Sequence, residues 1–485
     1  MTSRSLPASS ILRGIANEQV WLPRERRLTM AALACLIYFT CSGGAFGLEP
    51  LIGTIGPVWG GVMILVAPLV WSLPIALMVA ELTGLMPEEG GFYVWVRETQ
   101  GAFWGVQEAW WTLAYAVALM ATFPVLFVSY LTFFIPALGA SADGPHPLWG
   151  ALLRWIVAIL VIASAMLLNL KSARDVGRSA KVGAVFVLGA FAVMVLVWLR
   201  RGNGPDAMAG VVAHGFEVQN HGAPLLVLSI LTYNYSGWDS ASTYAAEVDE
   251  PQRNYPKAIA IALIIMVLSY LLPVIAGVSV TTDPKIWSDA AGWPAIAQLI
   301  GGRWLGSLLA TAGMVSMWEL FNAQLLYASR LPYVMACDRW LPKALAKVSP
   351  GAGVPRIAII SLCVIAGIFA ALSFGDLAVI QCLVYAGAIV LECLALVILR
   401  ARHPDAPRIF RVPGGWWGLG YVCMAPIAVV ILVLFAALRD WKSFQEHLLA
   451  VGLVVTSGVC LYWVRRRIAL PRVGGGERAE LLEAE

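Results

Sequence analysis

Long apolar runs alternate with short polar stretches along the whole chain, and each run is about the length that crosses a bilayer as a helix. After a polar stretch to about Arg27, the pattern predicts twelve spans. They lie at 29–56, 58–85, 103–134, 148–170, 179–200, 223–247, 257–280, 304–335, 356–374, 377–400, 416–438 and 446–464. Between the second and third, 90–101 reads as a short interfacial helix carrying Tyr93, Trp95 and Arg97. Pro124, inside the third, predicts a kink.

Two of the runs are interrupted. The first contains Ser42-Gly43-Gly44-Ala45-Phe46-Gly47, three glycines in six residues. Each costs about 1 kcal/mol in a helix interior relative to alanine. One reading is a close-packing helix face of small residues. The other is a broken span whose unwound backbone lines a cavity. The sixth run breaks at Tyr233-Asn234-Tyr235-Ser236-Gly237-Trp238-Asp239-Ser240, and Ser236-Gly237 lies 194 residues after Ser42-Gly43. Five spans separate the two copies, so the second is inverted in the membrane. Paired interruptions in inverted halves are the pattern of a secondary transporter's binding site, and they favour the broken-span reading.

Composition agrees. The chain of 485 residues is 60% hydrophobic and 13% charged, against about 25% charged in globular proteins. This predicts an all-α, polytopic membrane protein. The net charge of +4 is spread over loops, which argues against a nucleic-acid partner. With the N-terminus cytoplasmic, 26 of the 33 lysines and arginines fall on the cytoplasmic side, so both termini are expected there. No apolar leader precedes the first long run. The eight cysteines include no C-x-x-C pair, and most (Cys35, Cys41, Cys363, Cys382, Cys393) sit inside apolar runs as inert thiols. All five histidines (His146, His214, His221, His403, His447) fall in loops. No H-E-x-x-H, G-x-S-x-G or metal-ligand cluster occurs, so neither an enzyme nor a cofactor is expected.

Several stretches resemble the amino acid–polyamine–organocation superfamily of secondary transporters. They are SGGAFGLEPLIGTIGP (42–57), WSLPIALMVAELTGLMPEEGGFYVWV (71–96), FWGVQEAWW (103–111), GWDSASTYAAEVDEPQRNYPKAI (237–259), ASRLPYVMACDRWLPKALAKVSP (328–350) and HPDAPRIFRVP (403–413). Within the superfamily they are most similar to the plant polyamine-uptake and L-type amino acid branches. The resemblance implies a LeuT-type fold with two five-helix inverted repeats (29–200 and 223–400) and helices 1 and 6 unwound. Two further helices follow (416–464), between cytoplasmic tails (1–28 and 465–485). It implies proton-coupled uptake of an amino acid or a polyamine across a plasma or bacterial inner membrane. An amino acid exchanger of the same fold and a non-transporting nutrient sensor are the alternatives, and an accessory subunit is left open.

The resemblance also places roles. A substrate carboxylate would dock on the N–H groups freed at Ser42, Gly43, Gly44, Ala45 and Gly47, where a half-helix dipole favours an anion. Carbonyls freed at Tyr233, Asn234, Ser236 and Gly237 would take the amine, and Trp238 would close over the substrate. Asp239 is either an amine ligand or an N-cap of the second half-helix. Glu108 and Tyr115 on the third span complete the expected substrate set. Glu49, just past the first break, would attract a cation. Lys181, placed where related carriers bind sodium, is either a coupling residue or a positive-inside anchor. Glu319, in a polar stripe with Trp318, Asn322 and Gln324, is a further coupling candidate. Glu81, Glu247 and Glu392 are other carboxylates of the spans, the first two expected to pair with loop arginines.

Overall fold

The computed structural model describes residues 27–140, 147–201, 224–289, 291–349, 352–371, 374–439 and 441–469. Among these the architecture is all-helical, with eight helices long and apolar enough to cross a membrane. The chain begins with α1 (Met30–Cys41), capped by Thr29, whose side chain accepts from the Ala32 amide. It ends at Ser42, whose backbone leaves helical geometry, and Gly43, Gly44 and Gly47 follow at φ 75°, 104° and 87°. Positive φ there disfavours any side chain. Helix resumes as α2 (Glu49–Ile55), and Gly56 at φ 82° turns the chain into α3 (Pro57–Leu85).

Pro68 and Pro74 withhold two amide donors within α3, and residues Pro68–Ser72 form a π-helical turn. α4 (Phe92–Gln100) precedes α5 (Ala102–Leu131), which contains Pro124. α5 is the most enclosed of the eight long apolar helices, 72% buried in its apolar stretch. It packs against α4, α6 (Pro147–Asn169), α11 (Arg303–Ala328) and α14 (Phe374–Arg402). Between these lie α7 (Ala173–Arg200), α8 (Pro224–Tyr235), a 3₁₀ segment (Ser240–Glu247), α9 (Pro251–Val278) and α10 (Trp293–Gly301). The longer helices end with α12 (Arg330–Cys337), α13 (Arg356–Phe369), α15 (Gly415–Arg439) and α16 (Trp441–Ala469). α16 is only 11% buried, and its exposed positions include Leu449 and Leu453, as a helix bathed in lipid requires.

The expected acid–arginine pairs form. Glu81 receives a bidentate fork from Arg400 (2.9 and 2.5 Å), an ion pair from Arg408 (3.1 Å) and the Val412 amide. Glu247 pairs with Arg330, Nη2 to Oε1 at 2.7 Å, with Arg330 fully buried. Beside it the entering chain is stitched to the end of the 3₁₀ segment. The Leu28 amide donates to the Glu247 carbonyl, and the Asp249 amide donates to the Leu28 carbonyl. Arg27 faces Asp249 at 3.9 Å. Asp338 takes hydrogen bonds from Tyr93 and Arg97 of α4.

Candidate substrate site between two helix breaks

Residues 42–48 and 236–239 face each other. A Cβ on Gly237 (φ 99°) would sit 2.7 Å from the Thr40 carbonyl oxygen, so only glycine permits this approach. Asn234 donates to the Gly47 carbonyl at 3.1 Å, tying one break to the other. α11 holds the first break through its polar stripe. Gln324 donates to the Thr40 carbonyl and Ser316 to the Gly43 carbonyl. The π-turn of α3 holds the second: Trp71 Nε1 donates to Ser236 and Ser72 Oγ to the Tyr235 carbonyl. The carbonyls released by unwinding are thus satisfied by side chains.

A small cavity of about 20 Å³ lies between the breaks, α5 and α11. Ser42, Phe46, Tyr115, Asn234, Ser236 and Gln324 are among its walls. Tyr115 Oη lies 3.2 Å from Ser240 Oγ and receives a hydrogen bond from Tyr327 at 3.3 Å.

Behind that wall lies a cluster of three buried carboxylates: Glu108 on α5, Asp239 at the second break and Glu392 on α14. Their charges act on one another. Tyr385 donates to Asp239 Oδ1 at 2.6 Å, and Thr112 donates to Glu108 Oε1 at 3.2 Å. Asp239 Oδ2, Glu108 Oε2 and both Glu392 oxygens have no partner among the described residues. Among the described residues no salt bridge reaches any of the three. Carboxylates taken out of water cost several kcal/mol each unless paired, and this cluster leaves acceptor oxygens at which a cation or a proton would relieve that cost. It does not have the arrangement of a metal site.

The remaining sequence-predicted residues fall in different places. Glu49 lies buried just past the first break. Its Oε2 accepts from the Gly47 amide at 2.7 Å and its Oε1 from Tyr130 at 3.3 Å, because a carboxylate two residues ahead is the nearest acceptor for a stranded amide. Asp239 makes no side-chain cap bond to the 3₁₀ segment it precedes; its oxygen goes to Tyr385 instead. Trp238 is wholly buried and donates to the Tyr235 carbonyl, outside the cavity wall. The side chain of Tyr233 lies outside the described residues. Glu319 accepts from Ser179 at 2.5 Å while its Oε2 lacks a partner. Lys181, two residues after Ser179 on α7, is half-buried, and Cys35 feels the charges of both Lys181 and Glu319. Tyr385 and Tyr327 were not marked in the sequence, since a tyrosine in an apolar run carries no signal by itself. Glu392 carried one, as a carboxylate deep in an apolar run.

The chain is similar to known carriers over nearly all of its length. It is 32% identical to a polyamine transporter of Oryza sativa subsp. japonica over 456 residues, 93% of this chain and 82% of that one. A polyamine transporter of Arabidopsis thaliana is 31% identical over 91% of this chain and 86% of its own. A branched-chain amino acid permease of Bacillus subtilis (strain 168) is 22% identical over 78% and 81%. The amino acid permease family model matches residues 28–457. With that match added to its apolar helices, the chain belongs to the amino acid permease family of the amino acid–polyamine–organocation superfamily, a multi-pass membrane transporter and not an enzyme.

Proposed function

We propose that the chain is a proton-coupled secondary transporter that takes up polyamines by alternating access. The observation that carries this reading is the Glu108–Asp239–Glu392 cluster, with four unpartnered carboxylate oxygens beside the cavity. A protonated amine entering it forms charge-assisted hydrogen bonds in a site of low dielectric. Tyr115 and Tyr385, whose rings lie 4.9 Å apart, offer aromatic faces to the same cation. Several acids in one place suit a solute with several amines and no carboxylate, and similarity to plant polyamine transporters supports the choice.

On this reading α1 and α2 are halves of one span, as are α8 and the 3₁₀ segment. The chain then crosses twelve times as two inverted repeats (29–200 and 223–400) with two added spans (416–464), both termini cytoplasmic. The spans bearing the breaks, with α3 and α9, rock against the rest. Glu319, with its unpartnered oxygen near Lys181, is the proposed carrier of the coupling proton.

An amino acid carrier is the second reading. The amides of Ala45 and Phe46 in the first break lack an acceptor among the described residues, and they favour it. Equilibrium binding of radiolabelled spermidine to the purified protein in nanodiscs separates the two. The expected result is saturable binding displaced by putrescine and not by leucine, weakened at least tenfold in Asp239→Asn and Glu392→Gln. Displacement by leucine, or no binding at all, would overturn the polyamine assignment.

A further inference from the structure

Gln324 on α11 lines the cavity and is 1% exposed. Its Nε2 donates to the Thr40 carbonyl at 3.0 Å. A carbonyl can only accept, so the amide nitrogen must face Thr40 and the way round of the amide is fixed. Oε1 is thereby left without a partner among the described residues, and a buried acceptor left unmet is costly. The neighbouring polar wall has the same bias. Asn234 spends both amide hydrogens on the carbonyls of Gly47 and Ile230, and Ser236 spends its hydroxyl hydrogen on the Thr232 carbonyl. These side chains have oxygen left to offer and no hydrogen, which suits a group that only donates. A primary ammonium is such a group, with three N–H donors and no acceptor, whereas a carboxylate is the reverse. The cavity, at about 20 Å³, has room for one water-sized group, and an ammonium head is of that size. Phe46, Leu119 and Phe123 line it beside the polar groups and suit the methylene carbons that follow such a head.

We propose that Gln324 is a specificity-determining residue whose Oε1 receives one terminal primary ammonium of the solute. Heads alkylated at nitrogen are refused, because each methyl group removes a donor and exceeds the space. Asp239, two residues past Gly237 of the same wall, gains a cationic partner in the ammonium. This inference rests on the polyamine reading above and adds the class of amine that the site accepts.

Putrescine and its N,N,N′,N′-tetramethyl derivative form the matched pair, with the same carbon chain and the same charge. Their equilibrium binding is measured by calorimetry on the purified full chain in nanodiscs, as wild type, Gln324→Ala and Gln324→Met. Wild type should prefer putrescine at least tenfold. Gln324→Ala, which removes the acceptor and adds room, should weaken putrescine at least fivefold and leave the tetramethyl derivative unchanged or tighter. Gln324→Met, which keeps the volume and loses the acceptor, should narrow the preference about threefold; it serves alone if the alanine variant does not fold. A role confined to holding the Thr40 carbonyl would weaken both ligands equally. Putrescine binding with an unchanged preference in the variants therefore overturns the inference and leaves the polyamine reading standing. Equal binding of the two by wild type overturns it as well, the cavity then being a site for water only. Wild type binding neither overturns the polyamine reading, and the inference falls with it.

Discussion

Removing Glu247 should cost far more stability than removing Glu247 and Arg330 together. The Arg330 guanidinium is fully buried. Its Nε donates to Glu247 Oε1 at 2.8 Å and its Nη2 pairs with the same oxygen at 2.7 Å, while Nη1 reaches the Leu326 carbonyl and Ser329. Glu247→Ala strands the charge and two of its donor nitrogens, and leaving one half of such a pair costs about 3–5 kcal/mol. At about 2.1 cal/mol/K per residue, unfolding entropy for this length is on the order of 1 kcal/mol/K, so the loss reads as a Tm lower by about 3–5 °C. Glu247→Ala/Arg330→Met removes the charge as well, and replacement by apolar groups is often near neutral. The double variant should return to within about 1–2 °C of wild type by the same conversion. The assay is thermal unfolding in one detergent at one ionic strength, followed by size-exclusion fluorescence. A double variant that falls by the sum of the single losses would refute the reasoning, because the pair would then be an anchor in its own right.

Three further outcomes follow from other parts of the fold. Gly237→Ala forces a side chain into positive φ with its Cβ 2.7 Å from the Thr40 carbonyl oxygen, and should cost about 1–3 kcal/mol in thermal unfolding. Gly61→Ala, with open space around the new Cβ and an ordinary helical position, should be neutral or raise stability by up to about 1 kcal/mol. Glu89, in the loop after α3, is pushed up to about 7 by burial and by the charge of Glu247, against the pull of Arg330. The folded state then holds its proton at pH values where the unfolded chain has lost it. Its contribution to stability is present below the ordinary glutamate range and lost as pH rises toward 7, and Glu89→Gln should flatten that part of a Tm–pH curve.

Local signals in the chain foretold the breaks but not what meets at them. Three glycines in six residues disfavour helix because each is costly there, and Gly43, Gly44 and Gly47 stand at positive φ between α1 and α2. Acids inside apolar runs announce chemistry because an unpaired charge there is costly, which marked Glu108 and Asp239 as candidates and left Glu392 only as a further carboxylate of its span. Their meeting depends on α14 lying against α5, across nearly three hundred residues, and no local pattern encodes that. Glu49 and Asp239 show the same limit from the other side. Each has two plausible partners nearby, and packing chose the Gly47 amide for one and Tyr385 for the other. The long polar stripe on α11 was legible as an inward face, although that helix is not among the eight apolar enough to count as spans by composition. The start of α16 at Trp441 lies five residues ahead of its expected span, because helix continues through Lys442 and Gln445 where apolar patterning stops.

Proton-driven uptake into proteoliposomes tests the central claim most directly. Radiolabelled spermidine, arginine and leucine are supplied in parallel, with and without an inward proton gradient, to wild type and to Glu108→Gln. The account predicts spermidine uptake stimulated by the gradient, abolished in the variant, with arginine and leucine near background. Leucine or arginine uptake without spermidine uptake would contradict it and return the acid cluster to a structural role.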